Sequence, residues 1–193
     1  MGSGSGDALQ VNTYLHRKKR VAMRFGQGNK GGRMEDTMTF QIVPLNRDIT
    51  NGLTELTDEE LAARNIVRMT ANVSPGFPCR VSLEDARIGE VVYLMNFKHL
   101  PEATPYQAAH AIFVRQDAEE ASPAPGEVPD ALKLRVLSLR GFGADHMLRA
   151  AELAQGDAVA GTLDTLFADP GITYVHLHNA KPGCYAARAV RAG

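Results

Sequence analysis

Along the chain from Met38, apolar and polar positions fall into short blocks, and each block predicts an element. Phe40-Gln41-Ile42-Val43-Pro44 predicts a short strand closed by proline. Leu56-Thr57-Asp58-Glu59-Glu60-Leu61 predicts the opening of a helix. Thr57 as N-cap and Glu60 three residues on form a capping box that satisfies free amides, and Asp58 and Glu59 add favourable charge to the first turn. The helix should fade near Asn65, with a strand over 66–72. Ser74 to Arg80, reading SPGFPCR, is a proline-and-glycine loop that continues neither element. Val91 to Phe97 is apolar at nearly every position, which predicts a strand covered on both faces and therefore central. Strands are expected over 109–115 and 132–139, with a surface loop over 117–129 between them. Gly156-Asp157 predicts a helix to about Ala168, with Val159, Leu163, Leu166 and Phe167 on one apolar stripe. Asp169-Pro170-Gly171 ends it, Ile172 to His178 forms the last clear strand, and a short strand follows Cys184. Strands with two helices in irregular order, without an internal repeat, predict an α+β fold. The expected architecture is a single domain over 38–193, a mostly antiparallel sheet with two main helices.

Composition narrows the classes of function. A chain of 193 residues, 44% hydrophobic and 22% charged, suits one well-buried globular domain. No apolar run approaches the roughly 18–20 residues that cross a bilayer, so no membrane role is expected. Aromatic residues make up 6% and Trp is absent, which argues against base-stacking platforms. Two cysteines fit a reducing, cytoplasmic setting better than a secreted disulfide scaffold. Residues 1–37 carry seven Lys or Arg against three Asp or Glu, whereas the rest is mildly acidic. That body has no electrostatic footprint for nucleic acid. The basic cluster His16 to Arg20 reads as solvated charge on a disordered or vector-derived tail ahead of a natural start at Met38.

The candidate chemistry gathers at 175–188, VHLHNAKPGCYAAR. On an extended chain Ile172, Tyr174, His176 and His178 share one face, while Thr173, Val175 and Leu177 share the other, which is the natural core. The turn from Asn179 to Gly183 then brings Cys184 back toward the strand end. Three readings stand open. Zinc would take His176, His178 and Cys184, with Cys79 or His110 as a fourth ligand. Alternatively, Cys184 or Cys79 is a nucleophile with His178 or His176 as its base. In the third, these residues are only structural. The PGFPCR loop resembles the later turn in kind, and two such loops meeting would line a polar pocket from 74–80 and 178–188. Arg80, Arg188 and Lys181 would bind a small anionic ligand there, beside Asn179 and Cys79. Cys184, His178 and His176 would be placed for catalysis, with no metal assigned to that pocket and the cofactor unknown. The competing class is a non-catalytic structural or protein-interaction module. His110, in phase with Ile112 and Val114, is expected to be a satisfied core histidine.

The segments MTFQIVPL, PGFPCRVSLEDARIGEVVYL, HAIFVR, LFADP and HNAKPGCYAAR occur in this order. Together they resemble the bacterial proteins grouped as domain of unknown function 1203, over Met38 to about Ala189. The resemblance implies a small, single-domain, cytoplasmic bacterial protein and names no reaction.

Overall fold

A computed structural model describes residues 40–193; the basic cluster at 16–20 and the expected start at Met38 lie outside them. The strands are β1 (Phe40–Val43), β2 (Ile66–Thr70), β3 (Val91–Leu100), β4 (Ala108–Arg115), β5 (Leu137–Phe142), β6 (Leu148–Ala154), β7 (Tyr174–Asn179) and β8 (Tyr185–Arg191). They form two sheets where one was expected. One sheet has five strands in the order β1-β8-β7-β5-β6, and the other has three in the order β2-β3-β4. Every pairing between these strands is antiparallel.

Among the described residues three α-helices accompany them: α1 (Asp58–Ala63), α2 (Asp130–Lys133) and α3 (Ala158–Phe167). The Thr57–Glu60 capping box that starts α1 is present in both directions. On α3 the stripe Val159, Leu163, Leu166 and Phe167 is buried against one face of the five-stranded sheet, alongside Leu137, Leu139, Val175, Leu177, Ala187 and Ala189. Asp157 precedes α3 without a side-chain capping bond, so the apolar stripe rather than the cap holds that helix. β3 is the middle strand of the smaller sheet, as its continuous apolar run requires. Tyr93 and Met95 pack with Leu61, Val81 and Ile112, while Val92 packs the other way with Ala71, Phe77 and Ala86.

Two expectations need correction, and one strand went unread. Residues 132–139 are not a strand throughout: Pro129 and Asp130 start the single turn α2, Leu134 is exposed, and the strand begins only at Leu137. β6, which is exposed at Glu152 and Leu153, carries too weak an alternation to be read from sequence. Ile172 does not share the face of His176 and His178. It precedes β7 and turns into the main core, where a Cβ on Gly141 would lie 2.7 Å from its Cδ1. Among the described residues no helix is long and apolar enough to cross a membrane.

Candidate metal centre

Two irregularities in strand pairing build the site. In β3, Phe97 pairs with His110 and Leu100 with Ala108, so Lys98 and His99 oppose a single residue of β4. Such a bulge re-aims a side chain, here the His99 imidazole. In β8, Leu177 pairs with Ala187 but His178 pairs with Tyr185, leaving Ala186 as the extra residue. Ala186 and Ala187 both enter the core, and Tyr185 arrives beside the histidines.

The result is a four-imidazole cluster drawn from both sheets. His99 stacks between His110 (centroids 4.8 Å apart) and Tyr185 (5.1 Å), and meets His176 and His178 edge-on at 5.3 and 5.0 Å. Its Nε2 lies 2.8 Å from His110 Nδ1, and its Nδ1 lies 3.4 Å from His176 Nδ1. One nitrogen each from His99, His176 and His178 falls within 4.8 Å of the other two. His176 and His178 are 2% and 0% exposed. Burial holds these three imidazoles well below the usual histidine value, with neighbouring positive charge adding to the effect: His99 at about 4, His178 at about 3 and His176 at about 2. All three are neutral at neutral pH, the form in which imidazole ligates metal.

His178 has a defined tautomer. Its Nδ1 sits 3.0 Å from the carbonyl oxygen of Gly183, which can only accept, so Nδ1 carries the proton. Nε2 is then a bare lone pair, buried and without a hydrogen-bond partner. Gly183 presents that carbonyl from a backbone with φ of +76°, a conformation glycine adopts at no steric cost.

Two guanidinium groups flank the cluster. In the five-stranded sheet Arg140 of β5 and Arg188 of β8 both stand directly opposite His176. Arg140 donates to Ser138 Oγ at 3.3 Å, and the guanidinium carbon of Arg188 lies 4.2 Å from the Tyr174 ring centroid. Neither forms an ion pair among the described residues. Beyond His176, the Tyr174 hydroxyl meets His146 Nδ1 at 2.9 Å.

The loops at 74–80 and 178–188 do converge, but on the other side of the β7–β8 hairpin. Pro78, Arg80, Asn179, Lys181, Pro182 and Cys184 help to line a hollow of about 700 Å³. Its polar groups are mostly committed. Arg80, 2% exposed, donates to the carbonyls of Tyr185 (2.8 Å) and Pro78 and to Cys184 Sγ at 3.2 Å. Arg135, also in the lining, forms a two-pronged pair with Asp85 at 2.5 and 2.8 Å. Cys184 Sγ accepts from Asn179 as well, at 3.3 Å. Cys79 is sealed in the core of the smaller sheet, its sulfur accepting from the amides of Ser82 and Arg115. Lys181 is exposed at the hollow, whereas Arg188 belongs to the histidine side. His110 lines the hollow and also bonds His99, so it is no isolated core histidine.

A family model described as a protein of unknown function, DUF1203, matches residues 76–191. The chain belongs to this family. Within that span lie His99, His110, His176 and His178, both arginines that flank them, the 178–188 loop and the 74–80 loop from Gly76 onward. No curated protein and no solved structure matches the chain.

Sequence reasoning reached His176, His178 and Arg188 but missed His99 and Arg140. His99 lies 77 positions from His176 and belongs to the other sheet, so no local spacing could join them. Cys184, adjacent in sequence, is not in the cluster: it precedes β8, and its sulfur is engaged by Arg80 and Asn179.

Proposed function

We propose that this DUF1203 protein holds a divalent first-row transition metal ion, zinc-like in its preference for imidazole, between its two sheets through His99, His176 and His178. The observation that carries the reading is the buried, unpartnered Nε2 of His178, with its Nδ1 proton tied to Gly183. An orphaned buried nitrogen is costly unless something fills it, and an imidazole fixed through its other nitrogen is the usual state of a metal ligand. The 3.4 Å between His99 Nδ1 and His176 Nδ1 matches the edge of a tetrahedron with metal–nitrogen bonds of about 2.05 Å. In the tautomer this requires, His99 Nε2–H donates to His110, a hydrogen bond that fixes the orientation of the ligating ring. His178 has to swing in by about an ångström on loading, since 4.8 Å exceeds the span of such a site.

The ligand set therefore replaces Cys184 of the zinc reading with His99. Three protein ligands leave one tetrahedral position open, the arrangement that lets a metal bind and polarise a small molecule. Elemental analysis of wild-type protein reconstituted with zinc should return one ion per chain. His99→Ala and His178→Ala should each return almost none, while Cys184→Ser keeps the full amount. A ratio near zero for wild type overturns the reading, and so does equal loss from Cys184→Ser and His178→Ala.

A second reading concerns the hollow. Asn179 is 5% exposed and its Oδ1 has no partner, which favours a ligand that brings a hydrogen-bond donor to a largely apolar cavity. With Arg80 and Arg135 already engaged, Lys181 remains for an anionic end. Thermal-shift measurements with benzamide and benzoate test it; a shift by either that Ala111→Trp abolishes supports the hollow, and no shift by either removes it.

A further inference from the structure

Resting on the metal reading, we infer that the open coordination position takes a small carboxylate or other oxyanion, clamped by Arg140 and Arg188. The two arginines and His176 stand abreast on β5, β7 and β8, with His176 between them. Residues directly opposite one another share a face, so both guanidinium stems rise on the side where the imidazoles gather. Adjacent strands lie about 4.8 Å apart, so the stems start roughly 10 Å from each other, a span that two long side chains bridge around a ligand of a few atoms.

What marks this pair is its lack of carboxylate partners. Arg140 is half-buried and Arg188 exposed, whereas other arginines of the neighbourhood are spoken for: Arg135 by Asp85, Arg115 by Glu84 and Glu90, Arg80 by two carbonyls and a sulfur. Arg140 keeps a single hydrogen bond to Ser138, and Arg188 rests on the Tyr174 ring, a contact that leaves its N–H edges free. Placing two cations beside a site for a third is unfavourable unless an anion joins them. A carboxylate that binds the metal through one oxygen and the guanidiniums through the other neutralises all three.

The test uses the full-length protein loaded with cobalt(II), whose visible absorption reports coordination, titrated with acetate, and with acetamide as the neutral isostere. Acetate should change the cobalt spectrum saturably and acetamide should not. Arg140→Gln and Arg188→Gln should each weaken acetate about ten- to a hundredfold while leaving cobalt stoichiometry at one, the loss of a charge-assisted hydrogen bond. Thermal unfolding of the two variants identifies one that fails to fold, in which case the other carries the test. Cobalt bound with no response to acetate, or with equal acetate affinity in wild type and both variants, overturns this inference and leaves the metal reading standing. Cobalt that fails to bind wild type overturns both.

Discussion

The two sides of the β7–β8 hairpin share one stretch of chain and come to opposite chemical ends. On one side Cys184, Asn179 and Arg80 satisfy one another almost completely, apart from one amide oxygen. On the other, four imidazoles crowd together with one buried nitrogen left bare, beside half-buried Arg140 and exposed Arg188. A group whose demands are met inside the fold stabilises it. A group buried with its demands unmet points to something the chain alone does not supply. That contrast separates brace from site more sharply than residue type does, since thiols and arginines look as functional in the sequence as histidines.

The largest effect that would sharpen the contrast is on stability. Arg80→Met should cost about 2–5 kcal/mol in urea denaturation, because two buried carbonyls lose their donor. A loss under 1 kcal/mol would show that the arginine is held for a ligand instead. Acid should act selectively on the histidine side. In metal-free protein the unfolded chain binds protons near pH 6.5, which buried His176 and His178 refuse until about 2 and about 3. Their stabilising contribution is therefore complete above pH 6.5 and is lost as pH falls below it. The decline is up to about 1.4 kcal/mol per pH unit for each group. Denaturation series at pH 7, 6 and 5 measure this slope, and a profile as flat as that of a His176→Ala, His178→Ala variant would contradict it.

Smaller effects distinguish ligand from support. His110→Ala should lower zinc affinity about ten- to a hundredfold without changing stoichiometry, since it orients His99 from behind. Competition against a chelating dye gives the number; full loss of the ion would make His110 a ligand itself. Gly183→Ala should cost about 1 kcal/mol, because its φ of +76° strains any side chain although a Cβ there meets nothing within 4 Å. Cys184→Ser should fall within about 1 kcal/mol of wild type and leave zinc binding intact, read by the same two assays.

Local patterns carried much of the fold. The Thr57–Glu60 box, the apolar stripe of α3 and the unbroken run of β3 are decided within a few residues of chain, and each is found where its spacing implies. Leu132 to Leu139 misled because a turn of helix and the start of a strand share that alternation, and Pro129 decided between them. At the site, period-two alternation correctly put His176 and His178 on one face, away from Val175 and Leu177. It could not foresee the extra residue Ala186, which exchanges the faces that Tyr185 and Ala186 would otherwise occupy.

By itself, then, the amino-acid sequence determined most of the strands, the helices α1 and α3 and which side of β7 bears imidazole, because those outcomes follow from neighbours two to four residues away. Tertiary structure alone decided that His99 and Arg140, rather than Cys184, complete the cluster. Two bulges and the packing of one sheet on another bring those groups together, and register between distant strands leaves no mark in local spacing.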